Sequence, residues 1–183
     1  MHEEMIIAGF GGQGIMLLGK LLAEACMEEG RNVSWLPSYG PEMRGGTANC
    51  HVIVSDEDIG SPIIVNGTLL VAMNRPSLEK FEDTLVRGGT VFLNSSIIDT
   101  NPRRGDVLVH RVRANHLADE LGNLKTANMV MAGAVIGVTN LVSVEVMKSV
   151  VRENLTGKKA DLVPLNLQAL ARGMEAVLSG GPV

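Results

Sequence analysis

Four glycines and a glutamine crowd into Gly9-Phe10-Gly11-Gly12-Gln13-Gly14, and the chain runs on through Ile-Met-Leu-Leu to Gly19-Lys20. Two nucleotide chemistries share this spacing. Gly9, Gly11 and Gly14 fit G-x-G-x-x-G, where one glycine makes a tight turn, the next lets backbone approach a pyrophosphate, and the third brings helix close to strand. Gly14, Gly19 and Lys20 approach the phosphate-loop pattern, whose lysine reaches the β/γ-phosphates and whose following Ser or Thr holds magnesium. Leu21 stands where that hydroxyl must be, and the residues between the glycines are apolar, so the phosphate-loop reading fails. The dinucleotide reading lacks its second half. An acid at the end of the second strand should hold the ribose of NAD, and this strand ends in Leu36-Pro37-Ser38. Arg44 could meet the 2′-phosphate of NADP, but it lies in a loop of different character. With or without a nucleotide, a strand-to-helix turn presents free N–H groups to an anion.

That loop, Pro37-Ser-Tyr-Gly-Pro-Glu-Met-Arg-Gly-Gly-Thr47, holds two prolines and three glycines. Prolines fix φ and glycines open positive φ, so it reads as a shaped loop rather than a linker. Arg44, Gly45 and Gly46 offer a guanidinium fork beside exposed N–H groups, suited to phosphate or carboxylate. Glu42 is the nearby acid, and pairing with Arg44 is the plainest use of both. Thr47, Asn49 and His51 share one strand face, while Cys50 points to the other, which argues against a Cys50–His51 metal site. Phe10, Trp35 and Tyr39 gather at the turn and loop, either as partner-facing aromatics or as core plugs. Cys26 and Cys50 are too few for an iron–sulfur cluster. His2, His110 and His116 have no metal-ligand spacing, and Arg103-Arg104 reads as a polar turn.

These residues need elements to hold them. Met5–Ala8 reads as a strand, and apolar positions 15, 18, 22, 25 and 26 as a helix stopped by Gly30. Strands are expected over 33–36, 47–54, 69–73, 90–93 and 107–112, with a helix over 76–86 opened by Pro76. From Ala114 the chain reads as helical, broken near 122, 140–143 and 156–161. The last helix starts at Pro164 with apolar positions 167, 170, 171, 174, 177 and 178. The expectation is an α/β fold: a single domain over 1–183, with a mostly parallel sheet flanked by helices, a Rossmann-like start and a helical C-terminal half.

A net charge of −4 and 3% aromatic residues give no nucleic-acid footprint. The acidic start carries no signal-peptide pattern, so a cytoplasmic location is expected. Thr126–Val144 is a 19-residue charge-free run, but Gly133, Gly137, Asn128 and Asn140 dilute it. A helix buried in a core or subunit interface fits it better than a membrane span. The apolar breadth of 15–29 and 126–142 points to self-association or partner contacts.

Residues 38–62, SYGPEMRGGTANCHVIVSDEDIGSP, together with GFGGQGI, resemble the gamma subunit or domain of the 2-oxoacid:ferredoxin oxidoreductases, which act on pyruvate, 2-oxoglutarate, branched 2-oxoacids or indolepyruvate. The resemblance implies an accessory chain in a complex that decarboxylates a 2-oxoacid to an acyl-CoA and passes electrons to ferredoxin. It implies alpha, beta and ferredoxin-like delta partners that carry thiamine diphosphate and iron–sulfur clusters, and a gamma domain over the coenzyme A side. On this reading the chain has no catalytic residue, metal or tightly held cofactor of its own, and it is inactive alone, where a homodimer is possible. The ligand-facing set is Gly9, Gly11, Gly12, Gln13, Gly14, Ser38, Tyr39, Arg44, Gly45, Gly46, Thr47 and Asn49. The competing reading is a stand-alone NAD(P)- or flavin-binding Rossmann-like oxidoreductase.

Overall fold

A computed structural model describes residues 1–38 and 47–178. Strands β1 (His2–Phe10), β2 (Asn32–Ser38), β3 (Thr47–Ser55), β4 (Gly67–Ala72), β5 (Leu85–Asn94) and β6 (Leu108–Val112) form one sheet in the order β2-β3-β1-β4-β5-β6. The helices are α1 (Ile15–Glu28), α2 (Arg75–Phe81), α3 (Ala114–Glu120), α4 (Ala127–Thr139), α5 (Val144–Asn154) and α6 (Val163–Leu178). β1, β4, β5 and β6 are parallel neighbours; β3 runs against both β1 and β2. The sheet is therefore mostly parallel, as expected. Its Rossmann-like start is wedged open, however, by the reversed β3 between β1 and β2.

Strand alternation divides the core into two layers. Met5, Ile7, Cys50, Val52, Leu69, Val71 and Phe92 face one cluster, which α1, α3, α4, α5 and α6 cover. Ile6, Ala8, Ile53, Leu70, Ala72, Val91 and Leu93 face the other, which receives Leu78 and Phe81 of α2 together with Ile64 and Ile98. The reversed β3 keeps the alternation read from sequence, with Cys50 in one layer and Ile53 in the other.

Packing corrects one expectation and refines two. The helix over 76–86 ends at Phe81. A short 3-10 turn follows, Thr84 Oγ1 donates to the Phe81 carbonyl at 2.6 Å, and Leu85 already pairs with Gly67 as strand. In α6 Leu167, Leu170 and Val177 of the expected stripe pack on the core, but Ala171 and Leu178 turn outward, and the fully buried positions besides Leu170 are the small Ala169 and Gly173. The small residues win because α6 lies against the backbone of α4: a Cβ on Gly133 would stand 1.9 Å from the Leu170 carbonyl oxygen. Most of the apolar surface of 126–142 is used within the chain, since residues 127–136 are all buried, so the charge-free run is the core helix that one expectation had it be. No described helix is long and apolar enough to cross a membrane.

Candidate functional site

β1 and β4 are parallel neighbours, but the chain leaves β1 toward α1 and β2 on one side and leaves β4 toward β5 on the other. Such a divergence opens a crevice beyond the strand ends, where ligands of open α/β sheets bind. The glycine turn occupies that crevice. Gly12 and Gly14 take φ of 92° and 74°, which favour glycine, and Gly14 is the residue before α1. Gln13 ties the turn down from both ends: its Oε1 accepts from the Phe10 N–H at 2.6 Å and its Nε2 donates to the Met73 carbonyl at 3.1 Å. Gly9 is required by contact, since a Cβ there would stand 2.6 Å from Gln13 Oε1 and 2.9 Å from Met73 Cβ.

Beside the turn lies a pocket of about 170 Å³ bordered by Gly12, Gln13, Met73, Asn115 and Lys125. A shallower one of about 260 Å³ is bordered by Phe10, Gly11, Gly14, Leu17 and Ala48. Several of these positions escape a reading for glycines alone. Asn128 is buried in apolar α4 and donates Nδ2 to the Gly14 carbonyl at 3.3 Å; its one available signal is a polar residue inside an apolar run. Asn115 accepts from the buried Asn94 Nδ2 at 2.7 Å, which fixes its amide at the mouth of the pocket. Asn74, also buried, caps α2 by accepting from the Ser77 N–H at 2.8 Å, while its Nδ2 finds no partner among the described residues.

The register brings the second motif to the same edge. Gly9 pairs with Ala48, Phe10 with Thr47, and Ser38 with Asn49, so both ends of the loop between β2 and β3 are anchored beside the glycine turn. Tyr39, Arg44, Gly45 and Gly46 lie outside the described residues. Ser38 and Asn49 open into a third pocket of about 370 Å³ with Leu36, Pro37 and His51. His51 Nδ1 accepts from the Ile64 N–H at 3.3 Å, leaving the ring proton on Nε2. Burial holds its pKa below the usual histidine range against the opposing charge of Glu4. Phe10 is 40% exposed, whereas Trp35 packs against the core as a plug.

The phosphate-loop lysine is engaged elsewhere. Lys20 Nζ donates to Asn154 Oδ1 at 2.8 Å and pairs with Glu24 at 3.2 Å, joining α1 to α5. Arg103 pairs with Glu82, a buried carboxylate that also accepts from the Arg103 N–H at 2.8 Å, so the polar turn at 103–104 is a structural staple.

Cys26 and Cys50 are both fully buried, and burial pushes each thiol up to about 12. Cys50 sits under α1, where a Cβ on Gly19 would come within 2.4 Å of its sulfur. No group of three or more metal-ligating side chains occurs among the described residues, and two inert thiols do not fit an iron–sulfur cluster. The raised thiols give a pH prediction. Both states are protonated below the unfolded value of 9.0, so stability is unaffected there; above it the unfolded chain ionises first and the fold loses stability until about 12. Denaturant titrations should show stability falling as the pH rises above 9, and Cys26→Ala or Cys50→Ala should flatten the slope.

The sequence of this chain is 39% identical over 171 residues to ketoisovalerate oxidoreductase subunit VorA of Methanothermobacter thermautotrophicus, covering 92% of this chain and 35% of that one. It thus spans about a third of the length of the ketoisovalerate relatives it matches. Its fold is similar to the gamma subunit of keto/oxoacid ferredoxin oxidoreductase from Geobacter sulfurreducens, with a TM-score of 0.84 at 29% identity over 97% of this chain and 99% of the other. It also superimposes, with a TM-score of 0.90 at 23% identity, on 32% of the Magnetococcus marinus 2-oxoglutarate:ferredoxin oxidoreductase chain solved with 2-oxoglutarate, coenzyme A and succinyl-CoA; all of this chain is covered. With the glycine turn and the loop ends sharing one sheet edge, and with the pyruvate ferredoxin/flavodoxin oxidoreductase profile matching residues 4–176, the chain belongs to that family.

Proposed function

We propose that this chain is the gamma component of a cytoplasmic 2-oxoacid:ferredoxin oxidoreductase, closing the coenzyme A side of an active site whose thiamine diphosphate and iron–sulfur clusters sit on alpha, beta and ferredoxin-like delta partners. The observation that supports this reading is the register: Phe10 opposite Thr47 and Ser38 opposite Asn49 bring the glycine turn and residues 38 and 47 to one end of the sheet. The donors there suit a phosphate-bearing thiol better than a redox ring. Gly11–Gly14 supply backbone at a helix start, and Lys125 stands exposed at the pocket mouth. Ser38 and Asn49 extend the polar surface, and Arg44 with Gly45 and Gly46 would complete it. A nicotinamide is poorly served, because β2 ends in Leu36, Pro37 and Ser38 and offers the ribose no carboxylate.

Two relatives act on different acids by name, ketoisovalerate and 2-oxoglutarate. Substrate choice therefore belongs on the partners in this reading. The test is Arg44→Ala in the assembled enzyme. KM for coenzyme A should rise about tenfold, the size of one charge-assisted contact of 1.4 kcal/mol, with KM for the 2-oxoacid unchanged. An unchanged KM for coenzyme A sinks the ligand role. A purified chain that is yellow with flavin, or that binds NADP tightly and transfers hydride alone, sinks the accessory role.

A further inference from the structure

We propose that the open edge of β6, with the arginine pocket at its C-terminal end, docks an extended acidic segment of a different protein chain. β6 closes the sheet: β5 pairs with it on one side, and among the described residues no strand lies on the other. A strand edge leaves a row of N–H and C=O groups unpaired, and folded proteins cover or blunt such edges. Here the edge is short but not blunt, since Leu108 stands 53% exposed at its start.

The far end of the edge is basic. A pocket of about 360 Å³ opens between β6, α3 and α6, bordered by Arg111, Arg113, Leu117, Arg172 and Glu175. The Arg111 guanidinium is held by neutral oxygens: Asn101 Oδ1 at 2.6 Å, the Ile98 carbonyl at 3.2 Å and the Thr100 carbonyl at 3.5 Å. These partners sit on the α2 side of the strand and carry no charge, so none of them cancels that of Arg111. Arg113 is exposed and pairs with no acid among the described residues. Arg172 shares Glu120 with His116, at 2.8 and 3.2 Å. In a chain of net charge −4, this corner is positive against the trend.

The two features together select the occupant. Strand addition supplies main-chain hydrogen bonds along β6, and carboxylates entering the pocket supply the specificity. A small anion would use the pocket and leave the edge open. A second copy would bring no acid, because neither edge strand of this chain, Leu-Val-His-Arg-Val at β6 or Asn-Val-Ser-Trp-Leu-Pro-Ser at β2, contains a carboxylate.

The inference shares with the proposed function only the idea that companion chains exist, and the experiment has two arms to separate them. In the first, amide hydrogen exchange of residues 108–112 is compared between the isolated full chain and the assembled, active oxidoreductase. Exchange should slow at least tenfold on assembly, and Arg113→Glu should raise the dissociation constant of the complex about tenfold while Arg113→Lys restores it. In the second, the isolated chain is titrated with a synthetic peptide alternating valine and glutamate, and with its lysine counterpart; only the acidic peptide should protect β6, and added salt should weaken it. An active assembly whose β6 exchanges as fast as in the free chain overturns the docking site and leaves the proposed function standing. Equal binding of the lysine peptide, or dimerisation of the free chain through β6, overturns it too. Protection by the acidic peptide in a chain that forms no oxidoreductase upholds the docking site and removes the proposed function.

Discussion

Gly173→Ala and Gly133→Ala should each lower stability by about 3 kcal/mol, a loss read as a fall in Tm of roughly 6 to 12 °C for a domain of this size. At most positions inside a helix the same change stabilises by about 1 kcal/mol, since alanine is the better helix former. The crossing of α4 and α6 reverses that sign. A Cβ on Gly173 would lie 1.8 Å from the Val130 carbonyl oxygen and one on Gly133 lies 1.9 Å from that of Leu170, so the obstacle on both sides is backbone and no rotamer change relieves it. The helices must separate by more than an ångström, which loosens Val130, Ala134, Ala169 and Leu170 together, all buried. Gly60→Ala is the control. Its Cβ meets nothing within 4 Å, so denaturation should move within about 0.5 kcal/mol of the parent. A Gly173→Ala protein as stable as the parent would mean that the helices do not cross on these glycines.

Gly14→Ala should cost about 2 to 3 kcal/mol and, in the assembled enzyme, raise KM for coenzyme A more than it lowers kcat. Two costs combine. Gly14 has φ of 74°, a conformation that costs a residue with a side chain about 1 to 2 kcal/mol, and its new Cβ would stand 2.4 Å from Asn128 Nδ2. Displacing Asn128 breaks its hydrogen bond to the Gly14 carbonyl, worth about 1 kcal/mol. A double-mutant cycle separates the two costs. Adding Asn128→Ala removes the collision and keeps the backbone strain, so the double variant should be less destabilised than the sum of the singles. Strict additivity would show that Asn128 is not what holds the turn.

Both effects sit where the chain's own pattern carried its information unevenly. Period-two alternation in Thr47–Ser55 sorted Cys50, Val52 and Val54 from Asn49, His51 and Ile53, and the sheet keeps that sorting. The glycine turn was legible because positive φ and close approach demand glycine at fixed offsets from a strand end. Leu21 in place of a hydroxyl removed the phosphate loop, and Lys20 indeed serves a helix–helix contact. The helix over 76–86 was overextended because local preference cannot see that Leu85 has a strand partner in Gly67. The stripe of α6 is legible at Leu167, Leu170 and Val177, but a search for large apolar residues passes over Gly173, where a Cβ would meet the Val130 carbonyl oxygen at 1.8 Å.

What the order of residues determined by itself is local and periodic: which segments are strand or helix, which face of each is apolar, and where the backbone must bend through positive φ. Only the tertiary structure decided the rest. It set the reversed β3 beside β1, so that Thr47 comes opposite Phe10 at the end of the sheet that carries the glycine turn. It brought Asn115 from the helical half to the pocket beside the glycine turn and Asn128 beneath that turn, and Arg111, Arg113 and Arg172 around another pocket. The reason is that pairing register and helix crossings are set by the joint fit of distant surfaces, which no single segment encodes.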